Sequence, residues 1–172
     1  MSAVRAVRCL PFGLAGVLLI VAVVSSCRGV SRIAAGNDDR ASVAAAAAAF
    51  VATVGTYRPE DVDSYVARLA PLTTGDLRNA IATAALDPSV RGMRRVAGTR
   101  IESVSVTSRS ASVATAAVTA VQSRRWTDAH AGPQSEQVRQ RTNCQLVRVD
   151  GRWFVTAIEL LSEEPAGPGT SD

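Results

Sequence analysis

The stretch VRQRTNCQLVRVDGRWFVTAIELL, residues 138–161, decides the fold. It holds two runs rich in β-branched and aromatic residues, Val138 to Val149 and Arg152 to Leu161, separated by Asp150-Gly151. An Asp-Gly pair between such runs is a strong hairpin signal, because the turn needs a positive φ that glycine tolerates. The sequence therefore predicts a β-hairpin near the end of the chain, formed by its third and fourth strands.

Two further runs before this hairpin have strand-like patterns. Ile101 to Thr107 alternates with period two, and the turn-forming pair Arg109-Ser110 separates it from Ala111 to Val121. Arg124-Arg125-Trp126 closes the second strand, and the polar residues Thr127 to Ser135 predict a loop. The four runs together predict an antiparallel meander.

The residues before the strands have helical periodicity. An alanine-rich helix, Ala41 to Val54, ends at Gly55. A second helix follows Pro59 and stops at Pro71, and a third ends before Asp87. The positions predicted to face the core are Val43, Ala47, Phe50, Val51, Val54, Val62, Tyr65, Val66, Leu69, Leu77, Ala80, Ile81 and Ala84. Three helices followed by four antiparallel strands predict an α+β fold in which the helices cover one face of a curved sheet.

The chain begins with an apolar segment, Leu10 to Val24, that follows two arginines. Counted from Cys9 to Cys27, it just reaches the roughly 17–25 residues of a membrane-spanning helix, whereas a cleaved signal needs only about 7–15 apolar residues. Val24-Ser25-Ser26-Cys27 also resembles the bacterial lipobox, whose cysteine is lipidated. We expect residues 1–27 to tether the domain to the outer side of the cell membrane, through the helix or a lipid on Cys27; release after cleavage is less favoured.

Composition narrows the classes of function. Residues 28–37 form a predicted linker, 38–161 the exported domain, and 162–172 an acidic tail rich in Pro and Gly that we predict to be disordered. Beyond residue 27 the chain has 17 arginines, no lysine and 15 acidic residues, so its net charge of +2 does not indicate nucleic-acid binding. Heavy use of Ala and Arg without Lys is typical of a GC-rich genome such as that of an actinobacterium.

The cysteines do not form a disulfide framework. Cys9 and Cys27 belong to the N-terminal segment, which leaves Cys144 without a partner inside the domain. Cys144 lies among strand-like residues and is predicted to be a buried small hydrophobe.

One group of residues is a candidate interface. Arg94 and Arg95 precede the first strand, and Arg124, Arg125 and Trp126 end the second. Basic residues near a charged surface contribute about 1 kcal/mol each, and a Trp beside Arg is common at interfaces. We predict that these five residues meet a partner's acidic patch or anionic lipid headgroups.

Three motifs resemble those of the Mce-associated membrane proteins of mycobacteria and their relatives. They are the alanine-rich helix with its step Ala44 to Val62, the Thr-Gly step Leu72 to Leu77, and the final hairpin Asp150 to Val155. The resemblance covers roughly residues 1–161. It implies the cone-shaped, cystatin-like fold of nuclear transport factor 2 and ketosteroid isomerase. It also implies a role beside Mce complexes, which move lipids or sterols across the actinobacterial envelope. The lipobox-like ending departs from the family, whose members span the membrane.

Enzymes with the cone fold place an acid, a Tyr or a His in its pocket, and four residues are candidates here. Tyr57 and Tyr65 are aromatic, with Tyr65 on the apolar stripe of the second helix; Asp76 fits the electrostatics of a helix start, and His130 lies in a polar loop. Zinc-ligand spacing, a phosphate loop and a nucleophile elbow are all missing from the sequence. We therefore predict no catalytic residue, no metal and no cofactor.

The resulting hypothesis is a non-enzymatic accessory protein of the envelope that assists an Mce-type complex by protein–protein contacts. Two alternatives remain, a lipid- or small-molecule-binding cone and a cone-domain subunit of a type IV secretion or conjugation system. An interior filled by side chains would count against ligand binding and catalysis. The residues expected to fill it are Phe50, Tyr65, Leu69, Ile81 and Trp153.

Overall fold

The computed structural model describes residues 36–84, 95–128 and 132–166. The predicted anchor, Cys27, Arg94 and His130 lie outside these ranges. Within them, no helix combines the length and the apolar character needed to cross a membrane.

The three predicted helices are present, joined by short 3₁₀ segments. Helix α1 is helical over residues 36–54, and α2 spans Val62–Leu69 between 3₁₀ turns at Pro59–Asp61 and Ala70–Leu72. Helix α3 spans Gly75–Ala84. The apolar stripe predicted for α1 is confirmed, because it provides buried core side chains at regular helical spacing. The core residues of α1 are Val43, Ala47, Phe50 and Val51.

Four long strands form one antiparallel sheet in sequential order, as the sequence predicts. The strands are β1 (Arg95–Arg109), β2 (Val113–Asp128), β3 (Gly132–Val149) and β4 (Arg152–Pro165). The predicted hairpin turn is confirmed, since Asp150 and Gly151 have φ values of 49° and 78°. With its helices on one face of the sheet, the domain has the predicted α+β class.

Several predicted strand boundaries are wrong, because polar residues continue the sheet. Strand β1 begins at Arg95, six residues before the predicted Ile101. The loop predicted over 127–135 is part of the β2–β3 hairpin, in which Trp126 pairs with Gln134 and Asp128 with Gly132. Gly132 has a φ of 75°, a backbone conformation that glycine adopts without steric cost. Likewise β4 includes the first four residues of the predicted tail, 162–165, and residues 167–172 lie outside the described ranges.

The strict alternation predicted for the first strand is also wrong. The β1–β2 register shifts between Ile101 and Ser103 and again between Val106 and Ser108. Ile101 and Val104 would face opposite sides in a regular strand, yet both pack against the core. An extra residue in a strand changes the direction of every side chain after it, so the bulge keeps apolar side chains inward on both of its sides.

Helix α3 makes a narrower contact than predicted. Leu77 and Ile81 pack against the core, whereas Ala80 and Ala84 are exposed. Leu77 and Ile81 are four residues apart and therefore lie on one stripe of the helix. Contact through the longer side chains keeps the alanines away from the sheet.

The end of α1 lies directly against β1. A Cβ placed on Gly55 would overlap the Thr99 side chain. Tyr57 and Ala97 exchange two backbone hydrogen bonds of 2.9 Å, and Gln122 Nε2 donates to the Gly55 carbonyl at 2.9 Å. These contacts fix the helical layer at the end of the sheet where the candidate interface residues lie.

Candidate functional site

The helix-facing side of the sheet changes character along β2. The alternate residues Ala114, Ala116, Val118 and Ala120 are buried core positions. The next residues on this face are polar or aromatic, and they meet similar residues from the other three strands. We call the set the polar end; it consists of Arg95, Gln122, Arg124, Trp126, Glu136, Gln140 and Glu163.

Arg124 lies at the centre of the polar end. Its guanidinium donates to Glu163 at 2.6 and 2.8 Å and to Glu136 at 3.2 Å, and its Nε donates to Gln122. The side chain is only 15% exposed, and its pKa is raised, above all by the hydrogen bonds to Glu163. Arg124 was predicted to face a partner, but its charge is already matched by two carboxylates of its own chain.

Glu163 is the most strongly perturbed carboxylate described. Hydrogen bonds from Arg124 and then Gln140, whose Nε2 donates at 2.6 Å, lower its pKa from the ordinary 4.5 to about 2. Charge-assisted hydrogen bonds favour the ionised form, which explains the direction of the shift. This pairing fixes the end of β4, which the composition alone predicted to be disordered.

The remaining candidate interface residues divide between the two faces. Arg95 donates to Glu136 at 2.7 Å, and its guanidinium carbon lies 5.2 Å from the centre of the Trp126 ring. Arg125 points to the other face and is exposed. The structure therefore brings Arg95, Arg124 and Trp126 together on one face of the sheet and places Arg125 on the other face, while the interface role of all five stays a prediction.

Sequence analysis missed the acidic half of this site. Glu136 lies between the predicted loop, which ends at Ser135, and the predicted third strand, which begins at Val138, and Glu163 lies in the predicted disordered tail. Arg124 and Glu163 are 39 positions apart in the sequence, so no local sequence pattern predicts their ion pair. The alternation of residues over 132–140 is the local pattern that indicates a strand there, but it does not identify Arg124 as the partner of Glu136 without the strand register.

We expect Glu163→Gln to lower stability most above pH 4.5. Because the folded-state pKa of Glu163 is depressed, its contribution is present above the unfolded value of 4.5 and is lost as the pH falls towards 2. Urea denaturation of both proteins from pH 7 to pH 2 checks this. The wild type should lose its advantage over the variant in the acid range.

Glu159→Gln is the control for that experiment, since Glu159 is an exposed carboxylate in the same strand. Its effect should be small at every pH. An equal effect of the two substitutions would show that the Arg124 contacts contribute nothing particular to stability.

The described surface includes open grooves that are lined mostly by polar residue types. One of about 610 Å³ adjoins the polar end and is lined by Ser123, Arg124, Arg125, Ser135, Glu136, Gln137 and Ala166. Another, of about 440 Å³, is lined by Ala52, Thr53, Thr56, Arg58, Asp61 and Arg68. Side chains of these types form hydrogen bonds and ion pairs with a partner, but they do not provide a nucleophile with an activating base.

The reactive groups of the described core are held in inert states. Tyr65 Oη donates to the Val54 carbonyl at 2.9 Å, and burial raises its pKa. Cys144 is fully buried and burial raises its pKa to about 11, so the thiol is not activated. Within residues 36–84, 95–128 and 132–166, no cluster of three His, Cys, Asp or Glu side chains could hold a metal ion.

Large side chains of the described residues pack between the helices and the sheet. Phe50 and Leu69 are fully buried and Trp153 is 8% exposed, while Tyr65 and Ile81 pack against the same cluster. These are the five residues that the sequence predicts to fill the interior of the cone. The described core is packed in the manner of a structural interior.

No protein-family model matches the chain, and no curated protein matches it. Solved structures do. The intermembrane-space region of the chloroplast protein ARC6 aligns with a TM-score of 0.50 at 16% identity, over 69% of this chain and 96% of that one. An IcmL-like type IV secretion system protein from Legionella pneumophila has a TM-score of 0.50 at 12% identity, over 77% and 97%.

An Ntf2-like protein involved in plasmid conjugation aligns with a TM-score of 0.48 at 16% identity, over 73% of this chain and 49% of that one. At these identities the likeness concerns the fold alone. The described domain has the cone-shaped α+β fold of its structural neighbours, as the sequence predicted.

Proposed function

We propose that this chain is a non-enzymatic accessory protein, tethered to the cell membrane, whose cone domain binds other proteins of the envelope. The observation that carries the proposal is the filled interior. Phe50, Leu69 and Trp153 are buried in one cluster between the helices and the sheet, whereas ligand binding by a cone domain needs an open interior. The surface therefore remains as the part of the domain that can recognise a partner.

The machinery that the protein serves is the finer part of the proposal. The motif resemblance favours Mce transporters. The Legionella neighbour, described as a type IV secretion system protein, favours a secretion or conjugation assembly. Both assemblies are multiprotein machines of the envelope, and the fold similarity supports the second more than the first. We place the protein in such an assembly and let its captured partners decide between the two.

Affinity purification of the full chain, tagged at its C-terminus and expressed at native level, tests the function. We expect subunits of an Mce transporter or of a secretion machine to co-purify in stable ratio. A matched sample carrying the same tag on an unrelated lipoprotein removes non-specific membrane proteins. Failure to recover any stable envelope partner would overturn the proposal.

We also propose that residues 1–27 provide the tether. Cys27→Ser should remove the diacyl mass from the N-terminus if the lipobox-like motif is used, because only the thiol accepts that modification. Intact-mass spectrometry of the purified wild type and variant measures this. If both proteins have full-length masses that differ only by the Cys-to-Ser substitution, Cys27 is not lipidated. The helix would then be the tether.

A further inference from the structure

One part of β4 exposes an unusual concentration of apolar surface. Five large hydrophobic side chains of the described residues are exposed, and Ile158, Leu160 and Leu161 account for three of them within four positions. Scattered exposed aliphatic side chains are normal, whereas a contiguous group marks an interaction site. The strand that holds this group lies at the end of the sheet order.

The exposed side chains continue rows of the core. Ile158 pairs with Cys144 and Leu160 with Thr142, whose side chains are 0% and 5% exposed. Ile158 and Leu160 themselves are 40% and 55% exposed. The apolar rows thus run outward across β3 to β4 and end uncovered. A strand placed beyond β4 would complete them.

The edge of β4 already accepts a neighbouring strand at one point. Thr73 forms a parallel bridge with Val155, and the Thr74 amide donates to the Val155 carbonyl at 3.1 Å. The chain then turns at Gly75, where φ is 62°, and enters α3, which packs beside β4 without pairing with it as a strand. The next residues of β4, 157–160, are in regular register with β3. We call residues 157–160 the free edge, because no described strand pairs with them on the side away from β3.

The charges around the free edge select the occupant. Residues 157–165 contain three glutamates and no basic residue. Arg124 pairs with Glu163 and Arg139 lies opposite Glu164, whereas Glu159 lies opposite the neutral Asn143 and is the carboxylate left for a partner. A second copy of this chain would bring the same carboxylates to the joint, and like charges across strands are destabilising. The complementary occupant is basic.

We infer that the free edge binds an extended segment of a partner protein, with aliphatic side chains on the helix-facing side and Arg or Lys on the other. This rests on the proposed function and names the surface through which it is performed. Main-chain hydrogen bonds to the edge supply affinity, and alternate side chains supply specificity. The aliphatic side chains cover Ile158 and Leu160, and a basic side chain reaches Glu159.

The probe is a labelled seven-residue peptide of alternating Val and Arg, titrated with the full chain by fluorescence anisotropy. Leu160→Lys should weaken binding at least about tenfold, because a charge on the edge blocks both strand addition and apolar contact. Val113→Lys is the matched control, since Val113 is 52% exposed at the opposite end of the sheet. Glu159→Lys should reverse the preference towards a Val and Glu peptide.

Five outcomes decide whether the free edge binds such a segment. Loss with Leu160→Lys, retention with Val113→Lys and reversal with Glu159→Lys support the inference. Equal binding of a block peptide, with all Arg at one end, shows simple charge attraction and overturns it. A dimer in sedimentation velocity that Leu160→Lys dissolves assigns the edge to a second copy and also overturns it. If Leu160→Lys still purifies the wild-type partners, the inference fails while the proposed function stands; if neither protein purifies a partner, the proposed function itself fails.

Discussion

Phe50→Ala is expected to lower the free energy of unfolding by about 3–5 kcal/mol. Phe50 is the largest of the fully buried side chains and belongs to the cluster that α1 shares with the sheet. Removing its ring loses the free energy of apolar burial and leaves a cavity, because the long strands beneath it cannot collapse to fill the space. For a domain of this size, that loss is a large part of the total stability.

Urea denaturation followed by circular dichroism measures the change. Phe154→Ala is the matched control, since Phe154 lies on the other face, is partly exposed and stacks with Arg152 at 5.4 Å. It should cost less than half as much as Phe50→Ala. Equal losses would show that the space under α1 is not the main core of the domain.

The same variant tests the proposed function. A filled cone predicts that small apolar ligands such as benzene stabilise Phe50→Ala and leave the wild type unchanged, because a dry cavity exists only in the variant. The measurement is the thermal unfolding midpoint of the wild type and of Phe50→Ala, each with and without benzene. Equal stabilisation of the wild type would reveal an open apolar pocket and favour the lipid- or small-molecule-binding alternative.

The features that sequence predicted well are those in which local pattern and tertiary burial agree. Val43, Ala47 and Phe50 repeat at helical spacing and are buried at that spacing. Asp150-Gly151 has the one local geometry that suits a tight hairpin, and it adopts it. In both cases the residues within a few positions contain the whole physical reason for the structure.

The features that it missed depend on partners far along the chain. A run such as Ser162-Glu163-Glu164-Pro165 has the composition of a disordered tail, and it becomes strand because Arg124 and Gln140 hold Glu163. The candidate interface was divided for the same reason. Which face Arg124 and Arg125 occupy follows from strand register, and register depends on both strands together.

The bulge in β1 illustrates a third source of error. The sequence Ile101-Glu102-Ser103-Val104 alternates well enough to predict a regular strand, but a regular strand would expose one of the two apolar residues. Glu102 instead reaches over β2 to Arg139 on β3, where Arg139 Nε donates to it at 2.9 Å. The ion pair crosses two strand spacings, which no pattern within β1 can reveal.

Gly55→Ala is expected to destabilise the domain by about 1–3 kcal/mol, the usual range for overpacking. The added Cβ would overlap Thr99 Oγ1 and lie 3.0 Å from Thr99 Cβ and 3.1 Å from the Val51 carbonyl oxygen. Thr99 cannot move away freely, because its amide donates to Thr56 Oγ1 at 3.2 Å and its strand is paired with β2. The clash therefore falls on the joint between α1 and β1.

Gly98→Ala is the control for this prediction, because a Cβ there meets nothing within 4 Å. Alanine at that position should be neutral or slightly stabilising through the unfolded state. Thr99→Ala provides the decisive test, since Thr99 Oγ1 is buried without a hydrogen-bond partner and its removal costs little. In chemical denaturation, the Gly55→Ala/Thr99→Ala double variant should be more stable than Gly55→Ala alone. If the double variant loses the sum of the two single losses in free energy of unfolding, the overlap with Thr99 is not the cause. If it regains stability relative to Gly55→Ala, the close packing of α1 on β1 requires a residue without a side chain at position 55.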